Sequence, residues 1–228
     1  MKNILITGGT RGIGKYTADL LRAGDWNVFA VGRQSVDLTS SLRTAVYLKE
    51  FPANVALDAI VFSHGKWFSG DDPFGSEHFD QYVSRVLMPI EIIRHFATHL
   101  RMSSVGAVVF VSSTRGFIGG VDTAPYSLAC AAQIALVHGY AREFSKIKTV
   151  PENTDYFWDV RFNCVCPGLT DTDMGRDVIR TGGAKATAVL QSPESVAQEI
   201  VKLIEDKTAN GKIIRVVDGL VSEAKWSW

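Results

Sequence analysis

The sequence predicts an α/β protein: one doubly wound parallel sheet with helices on both faces, folded as a single domain over residues 1–228. Three observations predict it. Short β-branched runs alternate with longer stretches of helical periodicity. A glycine-rich turn directly follows the first of those runs. And 228 residues, 46% apolar and 21% charged, suit one substantial core rather than two.

The elements follow in order. "NILIT", "NVFAV", "DAIVFS", "GAVVFVS", "VRFNCV" and "KIIRVV" read as buried strands. In "HFDQYVSRVLMPIEIIRHFATHL" the residues Phe79, Val83, Val86, Leu87, Ile90, Ile93, Ala97 and Leu100 form one apolar stripe at helical spacing. The helix opening at Tyr126 carries two stripes. One is Leu128, Ala131, Ala132, Ala135 and Leu136; the other is Cys130, Ile134, Val137, Ala141 and Phe144. Two apolar faces predict burial against the sheet and against a partner subunit. Ser192 caps and Pro193 begins the last helix, "PESVAQEIVKLIED". The irregular piece "KTVPENTDYFWD" (148–159) reads as a surface loop leading Phe157 and Trp158 into the next strand. No internal repeat, linker or low-complexity segment interrupts the chain.

Bulk properties exclude several functions. The 24 basic and 24 acidic residues cancel and form no long run, which argues against nucleic acid as a partner. No apolar run approaches the ~20 residues of a membrane helix. Cys164 and Cys166 share one face of a strand, but no second pair completes a metal site. An odd cysteine count and no signal peptide predict a reducing, cytoplasmic compartment.

"ILITGGTRGIGKYTADLL" sets glycines 8, 9, 12 and 14 where the first strand turns into the first helix. Gly8 allows the tight turn, while Gly12 and Gly14 let backbone approach a pyrophosphate at the helix N-terminus, with Thr10, Arg11 and Ile13 completing the cradle. An NAD site wants a carboxylate at the end of the second strand. Here that strand ends "AVGRQ", with Gly32 at the position and Arg33 beside it. Arg33 and Arg11 suit a 2′-phosphate, so NADP(H) is the predicted cofactor. Asp37, followed by Leu38, is placed either at the adenine amino group or as a helix cap.

Ser113 in "VFVSSTRGF" precedes Tyr126 in "PYSLACAAQ" by 13 residues. A hydroxyl and a phenol beside a cofactor polarise a carbonyl. Together these residues resemble the short-chain dehydrogenase/reductase family over nearly the whole chain. "TGGTRGIG" is similar to its T-G-x-x-x-G-x-G turn, Ser113 and Tyr126 to its catalytic serine and tyrosine, "RFNCVCPGLTDTDM" to its N-x-V-x-P-G-x-x-x-T segment, and "VVDG" to its last strand. The resemblance implies a Rossmann fold, a homodimer or homotetramer through the helices at 78–101 and 126–146, and Pro167, Gly168, Leu169 and Thr172 lining the nicotinamide. It also implies that Ser63, His64 and Gly65, in the family's N-N-A-G segment, face the cofactor. The chain departs from the family at two of its four catalytic positions. Y-x-x-x-K reads Tyr126-x-x-x-Cys130, and the helix-borne asparagine aligns with Val86.

A cation ~5 Å from a phenol at an effective dielectric of ~20 is worth roughly 3 kcal/mol, about two pKa units. Without the lysine, proton transfer slows by on the order of a hundredfold unless another cation replaces it. Arg115 and His64 are the sequence's candidates. Cys130 reads as a small residue packing on its stripe. The predicted function is an NADP(H)-dependent oxidoreductase interconverting a carbonyl and an alcohol, with Ser113 and Tyr126 catalytic. The alternative is a non-redox relative, a cyclase, a lyase or a partner subunit that keeps the scaffold. Trp67, Phe68, Phe74 and Phe117 suggest an apolar or aromatic substrate of small to medium size. Residues 173–191 form a lid with Gly182-Gly183 as its hinge. The terminal "WSW" is assigned no role beyond a subunit boundary.

Overall fold

The structure is a computed structural model and describes residues 1–67, 75–102, 106–119, 123–146, 160–185 and 187–225. Phe68, Phe74, Phe157, Trp158, the 148–159 segment and the terminal tryptophans lie outside them, as do the side chains of Ala97 and Leu100.

The six expected strands are present: β1 (Lys2–Thr7), β2 (Trp26–Val31), β3 (Ala59–Phe62), β4 (Gly106–Val111), β5 (Val160–Pro167) and β6 (Ile213–Val217). A seventh, β7 (Leu220–Glu223), was not expected. It pairs antiparallel with β6 and is exposed along its length, so it lacks a buried apolar run. Its signal was the Asp218-Gly219 turn, both residues at positive φ (51° and 77°), the hairpin dipeptide. The sheet order is β2-β1-β3-β4-β5-β6-β7, with the first six strands parallel. Chain direction across the sheet reverses between β1 and β3, and that switch point is where open α/β sheets bind ligands.

Buried strands alternate between two core layers. Leu5, Ile60, Phe62, Phe110, Phe162 and Cys164 pack under α2 (Ser41–Glu50), α4 (Met88–Met102) and α5 (Ala124–Lys146). Ile4, Ile6, Val61, Val109 and Val165 pack under α1 (Gly12–Ala23) and α7 (Pro193–Glu205). Ser192 accepts a hydrogen bond from Glu194 N at the start of α7, as its sequence predicts. The end of α7 is closed from below. Buried Arg161 on β5 donates to the carbonyls of Leu203, Ile204, Asp206 and Ala209 at 2.6–3.2 Å.

The expected apolar stripe before β4 holds only in part: Ile93 is buried in the core and Val83 packs against it, but the register slips elsewhere. The chain forms α3 (Ser76–Tyr82), a π-helical turn (Val83–Leu87) and then α4. Phe79 is 62% and Leu87 47% exposed, whereas His78, Gln81, Arg85, Met88, Ile92 and Phe96 face inward. Pro89 explains the turn. It has no N–H to give the carbonyl of Arg85, and its ring crowds that carbonyl. Met88 N bonds Val83 O instead. The freed carbonyls of Ser84 and Arg85 accept from His64 Nε2 (2.5 Å) and Gln133 Nε2 (3.0 Å).

On α5 the stripe Cys130, Ile134, Val137, Ala141 is buried against the sheet, while Leu128 stands 58% exposed. Among the described residues, no helix is long and apolar enough to cross a membrane.

Candidate active site

One cavity of about 830 Å³ runs along the carboxyl ends of β1 to β5. Gly8, Thr10, Arg11, Gly12, Ile13, Arg33, Asp37 and Leu38 line one end; Ser63, His64, Gly65, Ser113, Tyr126, Pro167, Gly168, Leu169 and Thr172 line the rest. Of the residues assigned to catalysis or to the cofactor from sequence, all but Gly14 line it. A Cβ on Gly14 would sit 2.3 Å from the carbonyl oxygen of Gly8, so this glycine packs helix against turn. Gly8 (φ 71°) is different: its Cβ would meet Ser63 O and His64 N at 2.7 Å, which fixes the closeness of β1 and β3 at the switch point.

The residues present fit a dinucleotide. The N-cap of α1, Arg11, makes no side-chain cap bond, and the first turn carries no acidic residue. Its free N–H groups and dipole therefore face the cavity unneutralised, which suits a pyrophosphate. At the end of β2 the carboxylate position of an NAD site is Gly32, and a Cβ there would lie 2.2 Å from Thr10 Oγ1, so a side chain at 32 requires the Thr10 side chain to move. Arg11 and Arg33 are exposed, and among the described residues neither has a carboxylate within 4.0 Å. Asp37 Oδ1 accepts from Thr39 N and Oγ1 (3.1 and 2.7 Å), and these bonds hold its carboxyl below the usual range. The cap of α2 is Ser40, not Asp37. Thr172 caps α6 (Asp173–Arg180), accepting from Gly175 N at 3.1 Å.

At the other end Ser113 and Tyr126 meet. Tyr126 is 8% exposed, and burial pushes its phenol up to about 12. The neighbouring Cys130 thiol raises it further, while the Arg85 charge and a hydrogen bond with Ser113 oppose the rise. Burial also pushes the Cys130 thiol up, so it stays protonated beside Tyr126 and Ser112 and is no nucleophile.

Neither sequence candidate for a replacement cation fills the role. His64 Nε2–H donates to Ser84 O, so Nδ1 accepts, and the Thr7 hydroxyl reaches it at 2.6 Å. Burial, helped by the Arg85 charge and opposed by the hydrogen bond to Ser84, lowers this imidazole to about 4, so His64 is neutral near pH 7. Arg115 lines the cavity, but its charge is not among those acting on Tyr126. The cation that is there was missed. Arg85, 3% exposed, stacks its guanidinium 4.7 Å from the centroid of the Tyr126 ring.

Of the predicted aromatic wall, Trp67 lines the cavity and Phe117 does not. Phe117 packs on the core with Arg215 over its ring. Trp67 stands edge-on to Tyr126 (5.3 Å between centroids) and donates Nε1–H to Thr181 at 3.1 Å, joining the phenol to the lid. The expected hinge has another use. Gly182 (φ 78°) terminates α6, and a Cβ on Gly183 would meet the Trp67 ring at 2.5 Å. The lid's two ends are tied where Asp171 N donates to Gln191 O and Gln191 N to Leu169 O.

Fold and cavity together define a nucleotide-binding α/β enzyme site at a topological switch point. The short chain dehydrogenase model matches residues 53–182, and the chain belongs to that family. Carbonyl reductase family member 4 of Xenopus laevis is 25% identical over 94% of this chain and 95% of its own. Two solved structures share the fold. The 3-alpha-hydroxysteroid dehydrogenase of Pseudomonas sp. B-0831, complexed with NADH, superposes with a TM-score of 0.80 at 17% identity, covering 96% of each chain. A small-chain dehydrogenase in complex with NADPH gives 0.75 at 19%, covering 96% of this chain and 97% of its own.

Proposed function

We propose that the protein is an NADP(H)-dependent oxidoreductase that interconverts a carbonyl and an alcohol on a small to medium, apolar or aromatic substrate. One observation carries this reading: a single cavity joins an uncapped, glycine-lined helix start to a buried serine–tyrosine pair. The cofactor, when bound, supplies or accepts the hydride. The chain supplies the rest. Ser113 orients the substrate oxygen, and Tyr126 gives its proton to that oxygen in reduction and takes it back in oxidation. With its phenol pushed up to about 12, Tyr126 is protonated at neutral pH, which favours reduction. Trp67, Ile118, Met174 and Val178 supply the apolar wall.

The choice of NADP(H) over NAD(H) rests on Arg11, Arg33 and the absence of a carboxylate at Gly32, where Thr10 crowds the space a side chain would take. The solved neighbours carry either cofactor, so a nicotinamide nucleotide is the shared part. The uncovered stripe of α5 supports a homodimer or homotetramer, and three free cysteines suit a reducing cytoplasm. Calorimetric titration with NADPH and NADH tests the reading, with micromolar, NADPH-preferring binding expected. Tyr126→Phe is then expected to lower turnover of a ketone by roughly 10²–10⁴-fold with NADPH binding unchanged. Unchanged turnover would remove Tyr126 from the mechanism.

A further inference from the structure

A lysine one turn after Tyr126 would supply positive charge at the phenol; the chain has Cys130 there, neutral and buried. The geometry points to Arg85 as the residue that supplies that charge instead, from the opposite helix, through a guanidinium stacked on the Tyr126 ring. This rests on the proposed oxidoreductase reading and explains how that chemistry proceeds without the lysine. When Tyr126 passes its proton to the oxygen of a carbonyl receiving hydride from the reduced nicotinamide, the O–H bond of the phenol breaks and the O–H bond of the alcohol forms. Negative charge then remains on the phenolate and spreads into its ring, directly beneath the guanidinium.

The position of Arg85 is built rather than incidental. Pro89 forces the π turn that directs residue 85 inward. Gln133, buried on α5, holds the carbonyl of Arg85 at 3.0 Å, and Gln81 accepts from its Nε at 3.3 Å. Gly65 makes the slot: a Cβ there would lie 2.0 Å from Nη2 and 2.4 Å from Cζ. The guanidinium is thus held between backbone and phenol ring. Its charge is not neutralised, because among the described residues no carboxylate lies within 4.0 Å of it. The groups facing this pair are His64 from the end of β3, Asp80 and Gln81 from α3, Trp67 after β3, Ser113 after β4, and Cys130 from α5, with Cys166 of β5 behind it; Lys66 and Arg115 also line the cavity, but the cation whose charge acts on Tyr126 is Arg85. Arg85 acts through Tyr126 and is a positioning residue.

The test reads the phenol itself. A multiply fluorinated tyrosine at position 126, far more acidic than tyrosine, brings its titration into the range where the fold survives, followed by ¹⁹F NMR. Arg85→Met is expected to raise the midpoint by about two pH units, and Arg85→Lys to leave most of it in place. Arg85→Met with Cys130→Lys is expected to recover it, and alcohol oxidation at fixed pH to follow the same order over about a hundredfold. Gly65→Ala, which displaces the guanidinium without removing it, is expected to raise the midpoint too; it decides the matter if Arg85→Met does not fold. An unmoved midpoint in folded Arg85→Met overturns the inference. So does a loss confined to KM for carboxylate-bearing substrates with the midpoint unmoved, which would make the guanidinium a substrate anchor. Absence of NADPH binding in the unmutated protein would sink the oxidoreductase reading alone, since the phenol titration is read without cofactor.

Discussion

Arg85 and Arg161 are buried almost equally, at 3% and 5% exposure, yet they face opposite surroundings. Arg161 sits under the C-terminal end of α7, and four carbonyls receive its two terminal nitrogens. The negative end of the helix dipole adds to that. The desolvation of its two Nη nitrogens is compensated where they lie, and its work is structural. Arg85 has one side-chain acceptor, an aromatic face and a cavity. Its desolvation is compensated only in part, and what remains of its field falls on Tyr126 and His64. A buried charge that local acceptors satisfy belongs to the fold; one left half-satisfied beside a cavity belongs to the chemistry.

The contrast breaks most readily at Arg161. Arg161→Met leaves the end of α7 and its carbonyls buried without donors, and we expect a loss of about 3–5 kcal/mol of unfolding free energy in urea. Surviving folded protein should bind NADPH as before. A cost below ~1 kcal/mol would mean the helix end finds water, and the two arginines would no longer differ in kind.

A smaller effect comes from His64, which Arg85 helps keep neutral. The unfolded imidazole titrates near 6.5 and the folded one near 4, so between those values the unfolded chain holds more protons. His64 therefore leaves stability intact above pH ~6.5 and removes about 3 kcal/mol as pH falls through 4. His64→Asn should flatten the acid limb of a stability–pH curve. In Arg85→Met the limb should retreat to lower stability loss, because the imidazole is then protonated more easily within the fold.

The strands were legible because a parallel sheet buried on both faces needs short apolar, β-branched runs, and these survive even where Arg161 and Asn163 interrupt β5 and Arg215 interrupts β6. The glycine turn and the Ser113–Tyr126 pair were legible because local spacing carries them. The helix before β4 was legible only in part. Its inward face includes His78, Gln81 and Arg85, and a reading that puts apolar residues inside misses them. Pro89 in "LMPIE" was the available signal that helical register slips there. Arg85 meets Tyr126 across 41 residues of sequence, a juxtaposition fixed by packing and invisible to spacing. Gly14 has a second use that spacing does not show: it accommodates the chain's own carbonyl, from Gly8.

Arg11 and Arg33 extend the comparison to charges that water already satisfies. Being exposed, they cost the fold little, and apart from the pull of Arg33 on Asp37 their charges are open to a ligand. Arg33→Ser is expected to weaken NADPH binding by roughly tenfold, about 1.4 kcal/mol, with NADH binding unchanged and the NADPH affinity less sensitive to salt. The usual complement, a carboxylate at the end of β2, should fail here on its own. Gly32→Asp drives its Cβ into Thr10, 2.2 Å from the hydroxyl, and so distorts the phosphate turn before it can reach a ribose. Only with Thr10→Gly beside it should Gly32→Asp raise NADH affinity. If Gly32→Asp alone gains NADH, Thr10 is free to swing aside, and the crowding at Gly32 no longer supports the preference for NADP(H).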